Sequence, residues 1–186
     1  MSEQKEDATL KLVIFGDAGT GKTTLAHRYM TGLFKQNKLT LGVQFHVKKV
    51  NIVLDEGEKS KTYVVKLQIW DFGGEKRFRF LLPPYCRGAQ AGLFLYDVSN
   101  KKSLDSIAEW TSLVFDNAGK IPIMLVGAKA DLEDTRQVPR EEGMKIAEKL
   151  GLAGFVETSS KNGQNVEQTF ETTATLALKT ILKLMQ

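Results

Sequence analysis

One cysteine, Cys86, is the whole thiol content of the chain, which excludes a disulfide framework and any cysteine-based metal centre. Its setting reads as that of a small apolar filler beside a helix. Long apolar runs are missing too, and none reaches the length that crosses a bilayer. The opening residues Met1-Ser2-Glu3-Gln4-Lys5-Glu6-Asp7 are polar, which argues against a secretory leader. Ser2 stands where N-myristoylation needs glycine. Charge of one sign is nowhere concentrated: the formal net charge is +4 and the lysines are spread along the sequence, so no nucleic-acid-binding stripe forms. Internal repeats and low-complexity tracts are absent as well. These absences together predict a cytoplasmic protein that takes no nucleic acid. What remains is 42% apolar and 26% charged over 186 residues, a composition suited to one globular domain. We expect a flexible N-terminus over residues 1–9 and a single domain over residues 10–186.

The stretch Gly16-Asp17-Ala18-Gly19-Thr20-Gly21-Lys22-Thr23, followed by Thr24, fits the pattern G-x-x-x-x-G-K-[ST]. An apolar run over residues 10–16 precedes it and reads as a buried strand. A helical pattern over residues 21–32 follows. Strand, glycine-rich loop and helix form the context in which this pattern binds phosphate. Glycines let successive backbone N–H groups turn into a concave nest, and the helix N-terminus adds positive potential. Lys22 is then aimed at the β- and γ-phosphates, and the Thr23 hydroxyl at Mg²⁺.

Beyond this loop the pattern alternates strands with helices. Val43, Phe45 and Val47 alternate with polar residues, the phase shifts at Lys48-Lys49, and Val50, Ile52 and Leu54 alternate in turn, which predicts a long strand with a bulge. A polar turn over residues 55–60 joins it to a second alternating run over residues 63–69, making a hairpin. Short apolar runs at residues 91–98 and 121–127 read as strands covered on both faces, and Phe155-Val156 as a last short strand. Helices are expected over residues 102–117, 139–150 and 164–184. The fold class is α/β: a P-loop NTPase fold with a six-stranded, mostly parallel sheet, one antiparallel strand and about five flanking helices. Ligands of such sheets bind beyond the carboxyl ends of the strands. Four strand ends carry polar or glycine-rich sequence: the loop above, Trp70-Asp71-Phe72-Gly73-Gly74-Glu75, Ala128-Lys129-Ala130-Asp131, and Thr158-Ser159-Ser160-Lys161.

With these elements the chain resembles a small GTPase of the Ras superfamily, most similar to the Rab branch. Thr40-Leu41-Gly42-Val43-Gln44-Phe45 resembles the end of the first switch segment, Tyr85-Cys86-Arg87-Gly88-Ala89 the element after the second, and Leu95-Tyr96-Asp97-Val98 the strand that follows. The Phe-Gly-Gly form at Phe72-Gly73-Gly74 leans toward the Arf-like style. The resemblance implies GTP and GDP as ligands with Mg²⁺ as cofactor. It gives Thr40 to the metal and the γ-phosphate, Asp71 to the metal through water, and the Gly74 N–H to the γ-phosphate. Loss of that phosphate then releases both loops. Asp131 accepts from guanine N1–H and N2, which adenine cannot match, and the Lys129 stem lies along the purine. Ser159, the Ser160 N–H and Lys161 hold the base O6 and support Asp131. Phe34, twelve residues after Lys22, either packs on the base or fills the core at a helix end. Effectors are implied at the two switch segments, with an exchange factor and a GTPase-activating protein as further partners. The chain ends Leu182-Lys183-Leu184-Met185-Gln186 without a cysteine to prenylate, so membranes are expected to be reached only through partners.

Three positions depart from the family pattern. Ala18 puts a methyl group where glycine is frequent, close to where a partner's catalytic arginine would enter. Glu75 replaces a glutamine that orients the attacking water with a donor and an acceptor; a carboxylate lacks the donor and repels the γ-phosphate, so Lys22, Thr40, Gly74 and Glu75 are expected to hydrolyse GTP slowly. A nucleotide-holding scaffold that scarcely hydrolyses GTP is the alternative, and a P-loop small-molecule kinase is a third reading that leaves Asp131 and Ser159 without a role. Ala128 replaces an asparagine that ties the base loop to the phosphate loop, a loss of about 1–3 kcal/mol. Ala128→Asn should therefore slow GDP release measured by fluorescent-nucleotide chase, and an unchanged off-rate would contradict this account.

Overall fold

The computed structural model describes residues 5–36, 39–56 and 59–184. Its frame is a six-stranded sheet in the order β2-β3-β1-β4-β5-β6. The strands are β1 (Ala8–Phe15), β2 (Val43–Glu56), β3 (Lys59–Phe72), β4 (Ala91–Asp97), β5 (Ile123–Ala128) and β6 (Gly154–Thr158). β2 runs antiparallel to β3 and every other pairing is parallel. Helices α1 (Lys22–Thr31), α2 (Pro83–Cys86), α3 (Lys102–Asp105), α4 (Ile107–Ala118), α5 (Arg140–Lys149) and α6 (Val166–Leu184) flank it, with 3₁₀ turns at Lys76–Leu81 and Glu133–Thr135. Among the described residues, no helix is long and apolar enough to cross a membrane.

Both faces of the sheet are covered at its centre, so β4 and β5 are buried at every position, as uninterrupted apolar runs require. On one face Leu10, Leu12, Ile14, Val65, Leu67 and Ile69 pack with Leu25 of α1 and Phe170, Ala174 and Leu178 of α6. On the other face Val13, Phe15, Phe94 and Tyr96 pack with Trp110 and Val114 of α4 and with Cys86. Cys86 is fully buried, and burial pushes its thiol up to about 11, in keeping with a filler role.

Four expectations change. The bulge in β2 does not form, since the ladder runs unbroken from Val43↔Phe72 to Glu56↔Lys59. The phase shift is instead an exchange of faces: Val43 joins the α4-side cluster, whereas Val50, Ile52 and Leu54 join the α1/α6-side cluster. Regular alternation puts these two sets on opposite faces of one straight strand, so no extra residue is needed. The predicted helix over residues 102–117 divides at Ser106, whose ψ of 0° interrupts it and whose hydroxyl donates to the Ser103 carbonyl at 3.3 Å. β1 starts at Ala8, two residues before the expected start, because Asp7 extends the pairing: its N–H donates to the Val64 carbonyl, and its carboxylate accepts from the Val64 N–H at 2.7 Å. The polar hairpin turn is reduced to the junction of Glu56 and Lys59, with residues 57–58 outside the described residues.

α1, which carries the glycine-rich loop at its start, is fastened to α6 by Tyr29 and Phe170, whose rings stack at 4.0 Å with 7° between their planes. Phe170 is fully buried. Phe170→Ala should cost about 3–5 kcal/mol, read as a lowered midpoint in urea unfolding of the nucleotide-loaded protein.

Candidate functional site

The loop between β1 and α1 is shaped by glycines that cannot be replaced. Gly16 has φ of 133° and passes so close to β4 that a Cβ would lie 2.3 Å from the Leu95 carbonyl oxygen. Gly21 has φ of 97° and opens α1 in the left-handed region. No acidic residue occupies the first turn of α1, so the positive end of the helix stays free for an anion. Lys22 is buried, and its Nζ donates to the Asp17 carbonyl at 2.6 Å. Burial lowers its pKa to about 8 against the opposing pull of the Asp71 and Asp17 charges, and Arg79 adds to the lowering. The Thr20 hydroxyl is also spent on the Asp17 carbonyl, at 3.0 Å.

Beside the lysine, two loops and a strand end meet. Thr23 donates to Asp71 Oδ2 at 2.5 Å. Its single hydrogen is thereby used, so in its 2.6 Å contact with Thr40 the Thr40 hydroxyl is the donor. Asp71 is fully buried at the end of β3, and Oδ1 has no hydrogen-bond partner. Burial raises this carboxyl to about 6, against the Thr23 hydrogen bond and the Lys22 charge. An orphaned, buried carboxylate oxygen next to two hydroxyls fits a hard cation. No cluster of three or more His, Cys, Asp or Glu is found among the described residues, so any such ion would complete its shell with ligand oxygens and water, the habit of Mg²⁺. The next residues close the wall. The Gly73 N–H donates to the Gly42 carbonyl at 2.7 Å, and a Cβ on Gly74 would lie 2.3 Å from the Ala18 nitrogen. Glu75 does not line the cavity, and its Oε2 accepts from Arg77 Nε at 2.6 Å.

At the far end, Lys129 follows β5 with φ of 63°. Its Nζ donates to the Gly19 carbonyl at 2.8 Å and pairs with Asp97 Oδ2 at 2.6 Å. Ser159 donates to Asp131 Oδ1 at 2.6 Å. Phe34 is 44% exposed and lines the cavity, which rules out its alternative as core filling. Ala128 stands opposite Thr158 in the β5–β6 register, and the buried Thr158 hydroxyl has no partner. The missing amide at position 128 thus coincides with an unpaired hydroxyl across the ladder.

One cavity of about 620 Å³ joins the two ends. Ala18, Gly19, Gly21, Lys22, Thr23 and Thr24 line it on the loop side, Phe34, Thr40 and Gly74 on the flank, and Lys129, Asp131, Ser160 and Lys161 at the far end. Among the expected site residues, Gly16, Asp17, Thr20, Asp71, Glu75 and Ser159 stand outside this lining. The Asp17 carboxylate is turned away from the cavity and accepts from Arg79 and from Trp110. The sequence reading missed Asp97, Gln36, Leu39, Phe72 and Leu132. Asp97 was within reach, because it ends β4 much as Asp71 stands one residue before the end of β3. The others are wall residues of types that carry no chemical signature.

Comparison with known proteins agrees with this geometry. A model of the Ras family matches residues 11–179. The chain is 38% identical over 176 residues to the GTP-binding protein ypt2 of Schizosaccharomyces pombe, covering 94% of this chain and 84% of that protein. It is 38% identical over 170 residues to human Ras-related protein Rab-8B, covering 90% and 78%, and 36% identical over 169 residues to Ras-related protein Rab-19 of Xenopus laevis, covering 88% and 74%. With most of its length inside the family model and its strand-end loops gathered on one cavity, the chain belongs to the Ras family of small GTP-binding proteins and is Rab-like within it.

Proposed function

We propose that the cavity holds GTP or GDP with Mg²⁺ and that the protein is a nucleotide-dependent switch with slow intrinsic hydrolysis. The observation that carries this reading is the joining, in one cavity, of the buried Lys22 ammonium and Thr23, backed by Asp71, at one end with the Ser159-braced Asp131 carboxylate at the other. A triphosphate needs the first end and a guanine the second. Thr23 and Thr40, with Asp71 behind them, would hold Mg²⁺, which supplies charge neutralisation of the phosphates. Lys22 exchanges the Asp17 carbonyl for phosphate oxygens. Asp131, kept in place by Ser159, selects guanine, and Phe34 and the Lys129 stem enclose the ring. Asp97 positions Lys129, and through its Gly19 contact joins the two ends of the site.

The Glu75–Arg77 pair supports slow hydrolysis. A carboxylate already paired outside the cavity neither donates to nor orients a water. The same pair supports the second reading, a nucleotide-holding scaffold that scarcely cycles. Effectors would meet the protein across the two switch segments, where Phe45 and Trp70 contact at 4.7 Å, Trp70 and Tyr85 at 5.8 Å, and Leu41, Phe45 and Tyr85 are exposed. Such an apolar group on a soluble surface marks a docking site.

Three measurements test this. Chromatography of the released nucleotide should find guanine nucleotide in the purified protein, and single-turnover hydrolysis should be about tenfold faster in Glu75→Gln, a barrier change of about 1.4 kcal/mol. A slower Gln variant would overturn the role given to Glu75. Gly74→Ala forces the second loop off the phosphate loop. It should weaken binding of a non-hydrolysable GTP analogue by about tenfold while GDP affinity changes by less than about threefold, as expected if the N–H serves only the terminal phosphate.

A further inference from the structure

Two separate segments face the base end of the cavity. The loop after β5 carries Lys129 and Asp131 and runs to Val138 before α5 begins, and the segment after β6 carries Ser159, Ser160 and Lys161. Their spacing sets where the Asp131 carboxylate stands. Close to Asp131 they are joined by the Ala130 N–H, which donates to the Thr158 carbonyl at 3.0 Å, and by the Ser159 hydroxyl on Asp131 Oδ1. At the neighbouring register position, Ala128↔Thr158, no side-chain bond forms, and the Thr158 hydroxyl is without a partner.

Five residues beyond Asp131, Arg136 supplies a second tie. Nη1 donates to Glu157 Oε1 at 2.7 Å and Nη2 to Oε2 at 3.2 Å. Nε and Nη2 also donate to Glu133 at 2.9 and 2.5 Å, and Nη1 donates to the Val138 carbonyl at 3.0 Å. All five N–H donors of the guanidinium are thereby used, and the side chain is only 16% exposed. Glu157 is buried in β6, two residues before Ser159. Its side chain is seated over Gly127 of β5, where a Cβ would lie 3.1 Å from the Glu157 Cγ. Arg140, at the start of α5, approaches Oε2 at 3.6 Å, but its side chain is half-exposed and stands outside the loop. Among the described residues, the side-chain hydrogen bonds between residues 129–138 and residues 154–161 are the Ser159–Asp131 bond and the Arg136–Glu157 fork. Neither Arg136 nor Glu157 lines the cavity.

We propose that Arg136 is a positioning residue for guanine recognition: its fork on Glu157 holds the loop carrying Asp131 at a fixed spacing from the segment carrying Ser159, so that the Asp131 carboxylate meets the base N1–H and N2 amine together. The inference deepens the guanine-nucleotide reading above and rests on it. A two-point contact discriminates only when both bonds form at once, so a loop free to tilt gives up the N2 contact, while the phosphate end, built on a different loop, is untouched. A lysine would neutralise Glu157, but a point charge does not fix the orientation that a planar fork fixes.

The test compares the affinities of the full chain for GDP and for inosine diphosphate, which lacks the N2 amine, by competition against fluorescent GDP. Wild type should prefer GDP by about tenfold or more, the effect of one hydrogen bond to a carboxylate. Arg136→Ala should reduce that ratio to about threefold or less and release GDP about tenfold faster, with single-turnover GTP hydrolysis changed by less than about threefold. Arg136→Lys should recover only part of the ratio. Arg140→Ala removes a cation near Glu157 without a bond to the loop and should leave the ratio within about twofold; a drop equal to that of Arg136→Ala would assign the effect to an unpaired buried charge and overturn the proposal. A role confined to stability would lower the unfolding midpoint and weaken GDP and inosine diphosphate alike, and that unchanged ratio would also overturn it. Should Arg136→Ala fail to fold, Glu157→Gln replaces one of the two acceptor oxygens by a donor; a ratio lowered about threefold supports the proposal and an unchanged ratio overturns it. A wild type that does not select GDP over ADP would sink the nucleotide reading and this proposal with it. A wild type that does select GDP, with the variants keeping its ratio over inosine diphosphate, overturns this proposal alone.

Discussion

Close approach of backbones is the constraint on which the site depends. Gly16 lies against the Leu95 carbonyl, Gly73 against Thr40 and Gly42, and Gly74 against Asp17 and Ala18, each with no room for a side chain. These contacts bring β1, β3, β4 and the two loops so near one another that N–H groups and hydroxyls from distant parts of the chain share one small volume. A methyl group at any of the three would separate elements that the sheet register otherwise fixes. The parallel pairing of β1 with both β3 and β4 supplies that register.

Electrostatics follows from the same closeness. Lys22 and Asp71 are both withdrawn from water, and each is pushed toward its neutral form by burial while the other's charge opposes the push. Neither has a full set of partners in the protein: Lys22 leans on a backbone carbonyl, and one Asp71 oxygen has none. A site that leaves a buried cation and anion under-satisfied side by side is suited to a ligand carrying charge of both signs, an anionic phosphate chain together with a divalent cation.

The sequence was most informative where backbone chemistry leaves a residue-type signature. Glycines at fixed spacing, a lysine at a helix start and acids at strand ends located the phosphate loop, Asp71 and Asp131, and alternating apolar runs located the strands. It was least informative where a pattern admits two geometries. The phase shift at Lys48-Lys49 is compatible with a bulge or with a change of face, and only the packing of Val43 on one side and Val50 on the other distinguishes them. The Arg79 contacts were illegible for a different reason. Asp17, Arg79 and Trp110 are far apart in sequence, and an arginine in a polar, aromatic stretch looks like any solvated one. Asp17 was read as a phosphate-loop residue by position, whereas its side chain answers to a neighbouring helix.

The face exchange in β2 has a bearing on how this protein could diverge. One unbroken strand is divided in two: Phe45 and Val47 stand exposed on the side proposed for docking, and Ile52 and Leu54 are buried under α1 and α6. Because the buried half anchors the hairpin, the exposed half is free to vary its side chains without loosening the strand that displays them. On the proposed docking reading, partner choice and fold integrity fall on separate stretches of the same ladder, and a duplicated copy would acquire a new partner through substitutions at the first stretch alone.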